Sequence, residues 1–133
     1  MLKSFLIILL VASCSLSWAG NRNIEKEYYQ SGELAAVYTK ISKKAFQVAY
    51  YYRNGQVRET GFVKDGKNHG LWISYAEDGR KLMEAKFFGN ERLGKWYYWD
   101  RQGSLQNTVS FKNDTAIEYA VRDEAGNLIA YAP

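Results

Sequence analysis

Cysteine is almost missing from this chain of 133 residues: Cys14 stands alone. No disulfide can close within the chain, so its stability must come from packing. Histidine is equally scarce, with His69 the single copy. The nitrogen and sulfur sets that hold zinc cannot be assembled from such an inventory, and no metal or cofactor is expected. The sequence has neither the Gly-x-Ser-x-Gly turn that presents a nucleophilic serine nor the Gly-x-x-x-x-Gly-Lys loop that cradles phosphate. Concentrated charge is missing too. There are 18 basic and 14 acidic side chains, a net charge of +4 that falls by one if Lys3 is removed. Lys40, Lys43 and Lys44 are the nearest approach to a basic run. They read as a solvated turn, and a nucleic-acid partner is not expected.

What the first residues do contain is a secretory pattern. Lys3 is followed by the apolar run Phe5 to Ala12 and then by small residues ending in Ser17-Trp18-Ala19. A positive start, a short apolar core and a small-residue cut site mark an export signal. The run is far below the roughly 20 residues of a spanning helix. Two cleavage readings stay open: a cut after Ala19, which discards Cys14, or a bacterial lipobox at Val11-Ala12-Ser13-Cys14, which makes Cys14 a lipidated first residue. The expected location is the periplasm, cell envelope or exterior, with membrane contact only through a lipid on Cys14.

After this leader the chain, from 20 to 133, reads as one domain with an internal repeat. Gly32, Gly55, Gly79, Gly103 and Gly126 recur at intervals of 23 or 24 residues. In phase with them, Gly70 and Gly94, Trp72 and Trp96, and Tyr75 and Trp99 are each 24 apart. A fixed period of this length means that one small supersecondary unit is stacked on copies of itself. The clearest units run 51–75 and 75–99, with degenerate units at 28–50 and 99–133, as expected of repeats that end an array.

Each unit predicts two strands and two turns. Asn54-Gly55 has the composition of a two-residue hairpin turn, and Asp65 to Gly70 that of a longer polar loop containing His69. The segments between are rich in aromatic and β-branched residues. In Leu71-Trp72-Ile73-Ser74-Tyr75, alternation places Leu71, Ile73 and Tyr75 on one face and Trp72 and Ser74 on the other. Since the period is even, Trp72 and Trp96 should share a face and line up.

The run Tyr51-Tyr52-Arg53-Asn54-Gly55-Gln56, Gly61, Asp65-Gly66-Lys67-Asn68-His69-Gly70-Leu71-Trp72 and Asp78-Gly79-Arg80-Lys81-Leu82 resembles the bacterial variant of MORN repeats. Gly94-Lys95-Trp96-Tyr97-Tyr98-Trp99 and Gly103-Ser104-Leu105 continue the resemblance. It departs at Leu93, where the previous copy has His69, and at Gly89, one position ahead of the place of Gly66. The resemblance implies an all-β fold: an antiparallel meander of repeated hairpins in an elongated, mostly single-layer open sheet, serving as a binding or scaffolding surface. Some relatives are labelled antitoxins of toxin–antitoxin pairs, a role that sits poorly with an export signal. A second resemblance, of Gly94 to Gly103, is to the aromatic repeats of choline- and glucan-binding cell-wall modules, whose period is nearer 20 residues.

Catalysis has no visible seat. Asp65, Asp78, Asp100, Asp114 and Asp123 could pair as acid and base, but aspartate beside a turn ordinarily accepts bonds from backbone amides. The aromatic content is the functional cue, with six Phe, four Trp and eleven Tyr. Trp72 and Trp96 are expected in the core. A single-layer sheet cannot bury both faces, so Tyr97 and Trp99 on the opposite side, with Tyr75, form the candidate face for a protein or cell-envelope partner.

Overall fold

The computed structural model describes residues 23–133. The export signal and Cys14 lie outside them. The described chain is all β, eleven strands in one antiparallel sheet. In order they are β1 Ile24–Tyr28, β2 Leu34–Ser42, β3 Ala45–Tyr51, β4 Val57–Lys64, β5 Lys67–Tyr75, β6 Lys81–Phe88, β7 Glu91–Arg92, β8 Gly94–Trp99, β9 Leu105–Lys112, β10 Thr115–Arg122 and β11 Leu128–Ala132. Spatial order follows chain order, with β7 a short spur paired with β6 ahead of β8. This is the open meander of hairpins that the repeat implied, one layer thick.

The turns are where the sequence reading needs correction, because its two assignments are exchanged. At Asn54-Gly55 only Gly55 has a positive φ, 84°. The Gly55 amide donates to the Tyr52 carbonyl at 2.9 Å and the Tyr52 amide to the Gln56 carbonyl at 2.8 Å. This is a three-residue hairpin loop, a type I turn closed by a left-handed glycine, rather than a two-residue one. The same pair of bonds recurs at Gly32, Gly79, Gly103 and Gly126. The segment thought to be a long loop is instead the two-residue turn. Lys64 pairs with Lys67, and Asp65 and Gly66 between them have φ of 52° and 73°. Gly89-Asn90 and Asn113-Asp114 adopt the same doubly left-handed form. Both central positions need positive φ, so Asp-Gly and Gly-Asn serve equally, and the displaced Gly89 is explained.

His69 and Gly70 are therefore strand residues, and His69 is paired with Phe62. Thr60 pairs with Ile73 and Phe62 with His69, so Gly61 alone faces Gly70, Leu71 and Trp72. Gly70, with φ of 68°, takes up the extra length as a bulge. One repeat later the same distortion breaks the strand into β7 and β8 at Leu93, and Gly94 has φ of 65°.

The core lies on one face and follows the period. Val48, Trp72 and Trp96 are spaced by 24 and are 1, 4 and 7 % exposed. Val48 occupies the place of the tryptophan that the degenerate first unit lacks. Trp72 and Trp96 share a face, but they do not stack on each other. Phe87 stands between them, its ring 6.4 Å from Trp72 and 5.0 Å from Trp96, and Phe111 follows 5.0 Å beyond Trp96. Each indole is pinned in the same way: Trp72 Nε1 donates to the Phe62 carbonyl at 3.2 Å and Trp96 Nε1 to the Lys86 carbonyl at 3.1 Å. Buried indole N–H groups need such a partner. Ala120, the next position in the period, is buried but lies on the other face, since Tyr119 pairs with Val109, the partner of Trp96. A one-residue irregularity between Ala116 and Glu118 reverses the alternation there.

The candidate binding face

Opposite the tryptophans runs a continuous cross-strand row: Lys26, Val37, Ala49, Thr60, Ile73, Glu84, Tyr97, Thr108, Ala120 and Tyr131 pair in succession from β1 to β11, with one member from every strand except β7. Directly opposed residues in a sheet share a face. Tyr97 is thus placed by its register on the face away from the core.

Tyr97 and Trp99 are brought together: their rings stack with centroids 6.0 Å apart at 27°. Around them stand two residues that sequence reasoning missed. Lys81 Nζ lies 5.1 Å from the centre of the Trp99 ring and 3.0 Å from Glu84 Oε2, and Glu84 is the cross-strand partner of Tyr97. The cation sits over an aromatic face while its charge is balanced by the carboxylate, which holds the indole in place. Only the pairing of β6 with β8 makes this cluster, so no local motif announced it.

Tyr75 reaches the cluster indirectly. It pairs with Lys81, and its carbonyl accepts the Tyr52 hydroxyl at 2.8 Å, one repeat back. The register shift between Ser74 and Tyr75 places its extra residue, Leu82, on β6, so along β5 Tyr75 stays in line with Leu71 and Ile73. Tyr75, Tyr97 and Trp99 are all half-buried. The face also carries a second aromatic group that the sequence did not reveal. His69 lies between Phe62 and Phe88, at 6.3 and 4.9 Å between ring centres, and Phe88 and Leu71 are 63 and 52 % exposed.

The aspartates act in turns. Asp78 Oδ1 accepts the Arg80 amide, Asp100 Oδ1 the Gln102 and Ser104 amides, and Asp123 Oδ1 the Ala125 and Asn127 amides. Asp65 and Asp114 occupy left-handed turn positions, and Asp114 also accepts from the Arg92 backbone and guanidinium. Hydrogen bonds from Arg80, Arg92 and Asn127 hold the carboxyls of Asp78, Asp114 and Asp123 below the usual carboxylate range. Among the described residues no three His, Cys, Asp or Glu side chains converge as a metal site.

Compared with known proteins, residues 48–65 and 92–113 match the MORN repeat variant family. No curated protein sequence matches this chain. Among solved structures, a crystal structure of TarM aligns over 71 % of this chain with 17 % identity and a TM-score of 0.48. A point mutant of S. aureus TarM, in complex with Fondaparinux, α-GlcNAc-glycerol and UDP, aligns over 73 % with 14 % identity and a TM-score of 0.50. The chain spans 20 % of the length of each. At 14 % identity the likeness to the mutant structure, with its TM-score of 0.50, is one of fold alone.

Proposed function

Because this chain carries MORN-type repeats, we propose that it is a non-enzymatic, exported binding module that engages a protein or cell-envelope partner through the face opposite its tryptophans. The observation that carries this reading is the stacked Tyr97–Trp99 pair, half-buried on a sheet face that no other described element covers and flanked by Lys81 and Glu84. Interfaces concentrate aromatic side chains at their centre and polar groups at their rim. Leu71 and Phe88 extend the apolar area toward His69.

The test is retention of a native envelope fraction on the immobilised protein. Wild type should hold an envelope component, and the Tyr97→Ala, Trp99→Ala double variant should lose it with an unchanged far-ultraviolet circular dichroism spectrum. Equal retention by both proteins removes the reading. Binding to a sugar surface is the second reading, favoured by two nearly parallel rings beside polar groups. Retention on a glucan resin tests it, and retention on a choline resin tests the cage alternative. Export is supported by the leader pattern, and palmitate labelling of wild type against Cys14→Ser separates lipid anchoring from release after Ala19.

A further inference from the structure

The tryptophan face has a feature of its own at the β1 end. Glu25 and Glu27, two positions apart on one strand, point to the same side. Register places them over an aromatic floor: Glu25 pairs with Tyr38 and Tyr38 with Val48, while Glu27 pairs with Ala36 and Ala36 with Tyr50. Glu25, Glu27, Tyr38, Val48 and Tyr50, with Phe46 and Val63 among others, line a cleft of about 500 Å³. Tyr38 and Tyr50 meet edge to face, 6.2 Å between centroids at 87°. The Tyr38 hydroxyl donates to Glu27 Oε2 at 3.2 Å. Burial, then Tyr50 and Glu27 beside it, pushes that hydroxyl up from its ordinary value, so it remains a donor that orients the carboxylate.

The protein carries a net positive charge, yet neither Glu25 nor Glu27 belongs to any of the four ion pairs among the described residues. Lys26, between them, lies on the opposite face by register. Lys40, paired with Phe46, shares this face by register, and Arg58 lies over the Tyr50 ring at 5.6 Å, but neither lines the cleft. An anion meets two carboxylates in the lining, and a neutral apolar ligand leaves Glu27 with the Tyr38 hydroxyl alone and gives Glu25 nothing. A quaternary ammonium could sit against the rings but has no N–H to give the carboxylates. A primary ammonium has three, and its alkyl stem can lie on Tyr38, Tyr50 and Val48.

We propose that this cleft binds a primary ammonium group on an apolar stem, the chemistry shared by a lysine side chain and a free alkylamine. The carboxylates take the N–H donors and the tyrosine rings take the stem. This site is on the other face from the Tyr97–Trp99 cluster and stands or falls separately from it.

The experiment follows the tyrosine ring signals of the purified protein by NMR during titration with n-butylammonium, Nα-acetyl-lysinamide, tetramethylammonium or n-butanol. Both primary amines should give a saturable shift at Tyr38 and Tyr50, with tetramethylammonium at least about tenfold weaker and n-butanol inert, as loss of charge-assisted hydrogen bonds requires. Tighter binding of the lysine derivative than of n-butylammonium identifies a peptide lysine as the source, and the reverse identifies a free amine. The Glu25→Gln, Glu27→Gln double variant, which keeps the shape of both side chains, should lose at least about tenfold in affinity. Unchanged affinity in that variant, or a preference for tetramethylammonium, overturns the proposal. Tyr38→Phe supplies a second check: it keeps the ring, frees Glu27 and should weaken the amine without altering the circular dichroism spectrum.

Discussion

Trp72 occupies the space that a side chain on Gly61 would fill. A Cβ at Gly61 would stand 2.1 Å from the indole Cδ2 and 2.2 Å from Cε2. The absence of a side chain on β4 is what lets the bulged Gly70–Trp72 segment fold its indole across the neighbouring strand to the Phe62 carbonyl. In the next copy Ala85 replaces Gly61 and keeps its methyl, and Trp96 packs closer to Phe87 and Phe111 than Trp72 does to Phe87.

Gly61→Ala should therefore destabilise by about 1–3 kcal/mol through overpacking. Part of that cost should vanish in a Trp72→Phe background, since the smaller ring leaves room. Urea denaturation of the two single variants and the double variant measures the coupling. Additive effects would show that the indole moves aside at no cost.

Truncation separates the two faces. Trp72→Ala or Trp96→Ala should cost about 3–5 kcal/mol, as expected for a buried aromatic. Trp99→Ala should cost distinctly less, because Trp99 is half-buried and its neighbours are Tyr97 and Lys81. Thermal denaturation orders the three, and a loss at Trp99 equal to that at Trp96 would place it in the core.

Two kinds of carboxylate give the stability opposite responses to pH. Asp78, Asp114 and Asp123 are held below their ordinary value of 3.8 by hydrogen bonds. Their contribution is present above that value and is lost as pH falls through the folded values. Glu59 is raised above its ordinary 4.5 by burial, with Arg58 opposing. Its proton is held more tightly in the folded state, so this residue lowers stability as pH rises through the interval above 4.5. Glu59→Gln should stabilise at neutral pH and change little in acid well below 4.5. Denaturation midpoints at several pH values check the crossover, and a benefit that persists in acid would assign the effect to packing.

The turn chemistry gives a graded series. Gly55 has φ of 84° and open space where a Cβ would go. Gly55→Ala should cost only the left-handed strain, about 1–2 kcal/mol. Gly55→Asn should cost less, since asparagine tolerates that region. Chemical denaturation of both variants decides, and equal losses would show that contacts rather than backbone strain are at stake.

Much of the fold was legible because its signals are local and repeated. The 24-residue spacing of turn glycines, the aromatic strands and the shared face of Trp72 and Trp96 all follow from properties that each residue brings with it. The turn types were not legible. Asn-Gly and Asp-Gly can each enter a two- or a three-residue turn, and strand register chooses between them. The candidate face was legible in part: Tyr97 and Trp99 stand two apart on a strand, whereas Lys81 and Glu84 meet them, and Phe62, His69 and Phe88 meet one another, only across strands.

The sequence by itself thus determined an array of hairpins with one aromatic core face, since an even period and alternating strands leave little else. Tertiary structure alone decided where the ladder is irregular and, before Glu118, where the alternation reverses. The bulge at Gly70, the extra Leu82 on β6 opposite Ser74 and Tyr75, and the reversal before Glu118 are set by pairing with a neighbouring strand. A shift of one residue moves every later side chain to the other face, and its cost depends on packing across the whole sheet. That is why Ala120 leaves the face that Val48, Trp72 and Trp96 share, and Glu25 and Glu27 come to stand over Tyr38 and Tyr50.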